Sequence, residues 1–370
     1  MNIGTVKEIK RHEYRVGLTP SCAKSYMAHG HSVWIQTGAG DGAGFADGQY
    51  AAVGAKIVDS ADAVFEQCDM IIKVKEPQPE EFDKFRSGQI LYTYLHLAAE
   101  RALLDALLER GVKSVAYETI ELEDGTLPCL KPMSEIAGRL STQEAAKYLE
   151  KPFGGRGVLM GGVPGVAPAK IAIIGGGVVG TNACKIAAGM GADVSILDIS
   201  SSRLGYLDDV FDMHVKTLYS TEANIERVLE ESDAIIGAVL IPGAKAPSII
   251  CRDHLKIMKP GALIVDVAVD QGGCVETTRP TTHDDPVFSV DGIMHYCVAN
   301  MPGAVPLTST LALTGTTLPY GLQIADQGLE SACRHSEALR QGLNTYAGRC
   351  TCPAVADAFN IEYTPFENCI

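Results

Sequence analysis

The chain has 370 residues, 46% of them hydrophobic and 21% charged, a length that suggests two domains or three and a balance that excludes disorder as the main state. Lys+Arg 31 against Asp+Glu 45 leaves a formal charge of −14, which argues against a sequence-independent nucleic-acid binder and against adhesion to an anionic membrane surface. The charged opening MNIGTVKEIKRHEYR has no apolar h-region, and no apolar run of about 18 residues occurs, so neither a secretion signal nor a membrane span is expected. The 11 cysteines are scattered without CxxC or zinc-type spacing, the pattern of free thiols in a reducing cytoplasm, most of them small core residues.

Short apolar, β-branched runs alternate with helical patterns, the signature of βαβ units and parallel sheets. Strands are predicted near Ile3–Val6, Ser32–Gln36, Met70–Val74, Gln89–Tyr94 and Ser114–Tyr117. Helices are predicted near Pro20–His29 and Glu100–Glu109, the second followed by Gly111 as a C-terminal stop. Glu135–Leu149 reads as a long amphipathic helix, and GGRGVLMGGVPGVAPAK after it as a Gly/Pro-rich loop. A second strand series follows at Lys170–Ile174, Asp193–Leu197, His214–Leu218, Ala234–Leu240 and Ala262–Val267. The tail from Pro306 is predicted to be helical, its periodic part at about Leu318–Leu343.

The most specific local signal is AKIAIIGGGVVGTNACKIAAGMGADVSILD. An apolar strand runs directly into Gly175, Gly177 and Gly180, a GxGxxG in the strand, turn and helix context that gives it meaning. The first glycine permits the turn, the second lets the backbone approach a pyrophosphate, and the third lets helix and strand pack closely. The helix behind them offers N–H groups and the positive end of its dipole to phosphates. The next strand ends at Asp198, where a carboxylate accepts hydrogen bonds from the ribose hydroxyls of an adenosine. Asp198 also repels a 2′-phosphate, favouring NAD over NADP, although Arg203 nearby is a cation able to host one.

Ligands of open α/β sheets bind beyond the carboxyl ends of the strands. Lys75, His96 and Asp270 follow three predicted strands, and Arg15 sits in the loop after the first. Each alone has a plainer reading. Lys75 reads as a solvated charge before Pro77, and His96 as a hydrogen-bonded residue at a helix start. Asp270 reads as a cap of the turn into Gly272 and Gly273, and Arg15 as a surface partner of Glu13. Together, drawn from both halves of the chain, the four fit a cleft between two domains.

These segments resemble a known family. KEIKRHEYRVGLTP, KVKEPQPEE, LYTYLHLAA, VDVAVDQGGCVET, the GGGVVG loop and HYCVANMPGAVPLTST look like alanine dehydrogenase, in order and over essentially the whole chain. Related transhydrogenase α subunits share the N-terminal pattern and the dinucleotide loop but not the His96 and Asp270 pair. The resemblance implies an α/β architecture of two Rossmann-like doubly wound domains. In it, a dinucleotide domain at about 129–304 is inserted into a substrate domain of 1–128 and 305–370. It implies Arg15 and Lys75 as the substrate-binding pair and His96 and Asp270 as the acid/base residues. It implies NAD contacts at Ser134, Gly175, Gly177, Val178, Val179, Gly180, Asp198, Arg203, Ser220, Val239, Leu240, Val267, Ala268, Val269, Asp270, Arg279, Val298, Ala299, Asn300 and Met301. Some members hold an ion between an acid near 118 and a histidine near 327. Here Glu118 is present but position 327 is Gln, and no metal is carried over.

The activity implied is reversible, NAD-dependent oxidative deamination of L-alanine to pyruvate and ammonia by a cytoplasmic homohexamer. His96 is expected to hydrogen-bond the reacting oxygen or nitrogen, and Asp270 to shuttle the proton of the attacking water. Two alternatives stand beside this reading. One is a nucleotide-binding module that docks on a membrane transhydrogenase. The other is a saccharopine-type dehydrogenase, which a chain richer in cleft cations would have favoured.

Overall fold

The computed structural model describes residues 1–239 and 247–370. The chain divides into two compact units, one formed by Met1–Met133 with Gly303–Ile370 and the other by Ser134–Pro302.

In the first unit the strands are β1 (Asn2–Thr5), β2 (Ser32–Gln36), β3 (Lys56–Val58), β4 (Met70–Ile72), β5 (Ile90–Thr93) and β6 (Lys113–Ala116). They run parallel in the order β3-β2-β1-β4-β5-β6. Register aligns the strand ends: Thr5 lies opposite Ile72, and Ile72 opposite Tyr92. Every residue of β4 and β5 is buried, as expected of central strands covered on both faces. The helix Pro20–Ala28 starts on Thr19, whose side chain accepts from the Cys22 N–H, with Pro20 in its first turn.

The second unit holds β7 (Lys170–Ile174), β8 (Asp193–Asp198), β9 (Val215–Tyr219), β10 (Ala234–Gly237), β11 (Leu263–Asp266), β12 (Val287–Val290) and β13 (Ile293–Tyr296). The parallel order is β9-β8-β7-β10-β11-β13, with β12 antiparallel at the edge. Ile174 pairs with Leu197 and Gly237, and Gly237 with Asp266, so four strand ends form one line. A core of Ala172, Ile174, Ile235, Ile264, Leu229 and their neighbours covers one face. Both units are doubly wound α/β folds.

Strand ends differ from the sequence reading by a residue or two, as frayed ends do. The predicted strand through Leu240 ends at Gly237, and Leu240 itself lies outside the described residues. The tail is the larger correction. Helix Pro306–Gln327 ends at Gly328, which has φ 80°, and shorter helices follow at Leu329–His335 and Glu337–Gly342. The chain then turns to strand as β14 (Leu343–Tyr346), antiparallel to β6, and β15 (Arg349–Cys350). Leu-Asn-Thr-Tyr has no strong strand signature. Its pairing with β6 and the Gly348 turn at φ 84° make it a strand. The β12–β13 hairpin was also missed, although Asp291-Gly292 between two apolar runs, with φ 50° and 82°, is a strong hairpin turn. Of the 11 cysteines, all free, only Cys251 and Cys369 are not fully buried. Burial pushes thiols such as Cys68 up to about 12, which leaves them protonated and inert.

Candidate functional site

In the first unit the loop after β1 folds three charged residues inward. Arg15 is only 2% exposed, and its Nε and Nη2 each donate to a Glu13 carboxylate oxygen at 2.6 Å, while Nη1 faces the Met133 sulfur at 3.1 Å. The plainer reading of Arg15 and Glu13 as a surface pair gives way to a buried fork. Burial pushes the Glu13 carboxyl up, but the fork outweighs it and holds the group below the usual range. Burial likewise works against the Arg15 charge, and Glu13 more than restores it. The guanidinium is thus oriented and charged at working pH.

Lys75 lies just past β4 and is half-buried. Burial first, then the charge of Arg15, holds its ammonium below the ordinary lysine range, so the two cations are close enough to feel each other. The backbone under Lys75 is fixed by Glu8. One Glu8 oxygen accepts from the N–H of Val74 at 2.6 Å and of Lys75 at 3.2 Å, and the other from Lys73 Nζ at 3.0 Å. Lys73 is wholly buried and also donates to Glu81 at 2.8 Å. A carboxylate on each side makes the buried ammonium tolerable.

His96 lies just past β5 with its backbone in the left-handed region, φ 50° and ψ 38°. Glu118 supports that conformation: its carboxylate accepts from the N–H of Leu95 at 3.1 Å and of His96 at 2.5 Å, and lies 3.8 Å from His96 Nδ1. The ring of His96 is exposed and parallel to that of Tyr94, with centroids 6.1 Å apart. Tyr94 is anchored by its hydroxyl, which donates to the Cys129 carbonyl at 2.5 Å. Arg15, Lys75 and His96 thus gather at one end of the first sheet on a charged and aromatic base.

In the second unit the glycines have distinct structural reasons. Gly175 has φ 102°, a conformation that disfavours any side chain. A Cβ at Gly180 would collide with the Gly175 carbonyl, so helix Val178–Gly189 closes on β7. A Cβ at Gly177 would meet no atom within 4 Å, and Gly177 supplies no side-chain cap to the helix. Open space at an uncapped helix N-terminus suits a phosphate. Asp198 ends β8 between two backbone donors, the N–H of Gly176 at 2.7 Å and of Ser200 at 2.9 Å. Arg203 holds the same turn: its Nε donates to the Gly176 carbonyl and its Nη2 to the Thr181 hydroxyl at 2.5 Å. These residues fit a dinucleotide, with the strand-end acid tied to the glycine turn.

The other expected cofactor positions are set along the same edge of the second sheet. Val178 and Val179 open the helix, Ser220 follows β9, Val239 follows β10, Val267–Asp270 follow β11, and Val298–Met301 follow β13. Ser134 lies in helix Lys131–Tyr148, where Gly138 allows close approach to the Val179 carbonyl. Arg279 stacks over the Phe288 ring at 4.4 Å. Asp270 is exposed in a short 3₁₀ turn, Val269–Gln271, ahead of Gly272 at φ 95°. Among the described residues no cluster of three or more His, Cys, Asp or Glu side chains is arranged to hold a metal ion, and no helix is long and apolar enough to cross a membrane.

Sequence reasoning missed Glu8, Lys73, Glu81 and Asp266, and took Glu118 only as the acid of a possible ion site rather than as the support of His96. A signal existed for two of them. Lys73 in MIIKVK and Asp266 in LIVDVAV are charges inside apolar strand runs, where a group must be paired to be buried.

The family models for the alanine dehydrogenase/PNT N-terminal and C-terminal domains match residues 4–137 and 141–353. The chain is 54% identical to an alanine dehydrogenase of Methanococcus maripaludis, over 100% of both chains. It is 53% identical to one of Bacillus subtilis, over 100% of this chain and 98% of the other. A solved L-alanine dehydrogenase superposes with a TM-score of 0.95 at 52% identity, covering 97% of this chain and 99% of that one. A transhydrogenase from Sinorhizobium meliloti, at 24% identity and a TM-score of 0.82, shares the fold. The chain belongs to the alanine dehydrogenase/PNT family.

Proposed function

We infer that the chain is an NAD-dependent L-alanine dehydrogenase, converting L-alanine, NAD⁺ and water to pyruvate, ammonium, NADH and a proton, reversibly. The observation that carries the small-substrate reading is the buried, Glu13-oriented Arg15 beside the half-buried Lys75. Such a pair clamps one carboxylate and orients one carbonyl. Bound NAD⁺ supplies the hydride acceptor. Arg15 and Lys75 hold the carboxylate and carbonyl side of the substrate. His96 hydrogen-bonds the reacting nitrogen or oxygen, and Asp270 takes the proton of the water that attacks the imine and returns it to the departing amine.

NAD is the dinucleotide in this reading rather than NADP. Asp198 ends β8 against the Gly176 N–H, where it would receive the ribose hydroxyls, and Arg203 is already engaged with Gly176 and Thr181. The remaining expected contacts, from Ser134 to Met301, belong to the same proposal, as do the homohexamer and the cytoplasmic location implied by the family resemblance. Sedimentation velocity checks the hexamer.

Steady-state kinetics on alanine, serine, 2-aminobutyrate, glutamate and lysine test the reading. Alanine is expected first and its close homologues weakly, since one methylene changes discrimination by about 1–3 kcal/mol. Acidic amino acids are expected hardly at all, because a second buried carboxylate would lack a partner. A kcat/KM for glutamate or lysine at or above that for alanine overturns the alanine assignment. No amino-acid-dependent NADH formation at all returns the nucleotide-binding module.

A further inference from the structure

The loop that carries Asp270 is tied down by a carboxylate with no role in the scheme above. Asp266 ends β11 and is 1% exposed. Its Oδ1 accepts from the backbone N–H of Ala268 at 3.1 Å, and the Cys274 thiol lies 3.6 Å from the same oxygen. Its Oδ2 accepts from the backbone N–H of Cys274 at 3.1 Å and from the Thr278 hydroxyl at 2.8 Å. One carboxylate therefore grips both ends of the segment 268–274, and Asp270 sits between the two grips.

The surroundings are shaped for this contact. Gly272 and Gly273 take φ 95° and 73°, so the segment doubles back, and the Gly273 N–H donates to the Ala268 carbonyl at 3.0 Å. A Cβ at Gly273 would lie 2.7 Å from Asp266 Oδ2, and a Cβ at Gly237 on β10 would run into the Cys274 sulfur. Glycine at both positions leaves room for the carboxylate to reach the loop backbone. All of these donors are neutral, so what the charge gains here is geometric control of a loop. Burial pushes the Asp266 carboxyl above the usual range while its donors pull the other way.

We propose that Asp266 is a positioning residue for the deamination reaction, acting through Asp270 by fixing both ends of the segment 268–274. The proposal rests on the alanine dehydrogenase reading for its catalytic consequence. A proton acceptor displaced by about an ångström loses on the order of a hundredfold in rate, so a looser loop slows chemistry more than it weakens substrate binding.

The test uses Asp266→Asn and Thr278→Val in the full-length chain, alone and combined with Asp270→Asn. Asp266→Asn keeps the size of the side chain but sets an amide N–H₂ against a donor. Its kcat for alanine is expected to fall roughly tenfold or more, with KM changed less than about threefold. Thr278→Val removes one donor and is expected to act in the same direction, but less. In the Asp270→Asn background both effects should vanish, since a residue that acts through Asp270 has nothing left to act on. Equal losses in the two backgrounds overturn the proposal, as does an unchanged kcat.

Hydrogen exchange of the amides in 268–274 is the second readout and does not depend on the reaction. It should quicken by roughly tenfold in Asp266→Asn. Unchanged exchange overturns the proposal even if the wild type proves inactive on alanine, which would sink only the functional reading. If Asp266→Asn does not fold, Thr278→Val decides both readouts by the same criteria.

Discussion

The two units share a strand order, β3-β2-β1-β4-β5-β6 in one and β9-β8-β7-β10-β11-β13 in the other, yet their first crossovers are built from opposite materials. After β7 the chain spends three glycines and enters a helix at once. After β1 it runs a long loop to Pro20, within which Glu8, Glu13 and Arg15 are buried. Both loops stand at the same topological place, beyond the carboxyl end of the first strand. An anion can be received there by bare backbone, which requires side chains to be absent. It can also be received by a cationic side chain, which must then be oriented and kept charged by a buried carboxylate. The first solution is short and written in glycine. The second is long and written in charge.

Removal of the Glu13 carboxylate is expected to have the largest effect. Glu13→Ala takes the fork from a buried guanidinium and is expected to cost about 3–5 kcal/mol of stability, read as a lower urea midpoint, with a raised KM for pyruvate. A variant as stable as the wild type would mean that Glu13 does not orient Arg15. Next in size are the two residues proposed to move protons. His96→Ala and Asp270→Asn should each lower turnover by roughly two orders of magnitude. NADH fluorescence titration of His96→Ala should stay near wild type, because every expected cofactor position belongs to the other unit. Normal turnover in either variant removes that residue from the mechanism.

The glycine solution has its own test. Gly180→Ala puts a methyl into the Gly175 carbonyl and should cost about 1–3 kcal/mol as overpacking, together with weaker NADH binding. Unchanged stability and affinity would show that the close approach of helix and strand is unimportant. Asp198→Gly should narrow the NAD over NADP preference by about tenfold, or about 1.4 kcal/mol, in paired kcat/KM measurements. Equal use of both cofactors by the wild type would end the role assigned to Asp198.

The smallest effect is on pH. In the proposed reading the protonated Lys75 holds the substrate, and burial, then the charge of Arg15, lowers its pKa. KM for pyruvate is therefore expected to rise severalfold as pH climbs through that lowered value, below the ordinary lysine range. Arg15, whose charge Glu13 secures, remains protonated throughout. A KM flat up to the ordinary lysine range would contradict the role of Lys75.

Features that depend on local chemistry are legible in the residues alone. Alternating apolar and helical runs determined two parallel sheets, because central strands of such sheets are buried on both faces and read as continuous apolar runs. The order of Gly175, Gly177, Gly180 and Asp198 determined the dinucleotide turn, because φ, close packing and hydrogen bonding there are properties of neighbouring residues. The positions of Arg15, Lys75, His96 and Asp270 after their strands were also readable, since sheet topology places strand ends in advance. The groups that support them emerge from the fold. Glu13 next to Arg15 reads as a surface pair until the loop is seen to turn inward. Glu8 meets the backbone of Lys75, and Glu118 that of His96, across a wide separation in sequence. The tail Leu343–Tyr346 is a strand because β6 offers it an edge. In each case the decisive term is the desolvation of a polar group or an unpaired backbone, which the folded chain alone imposes.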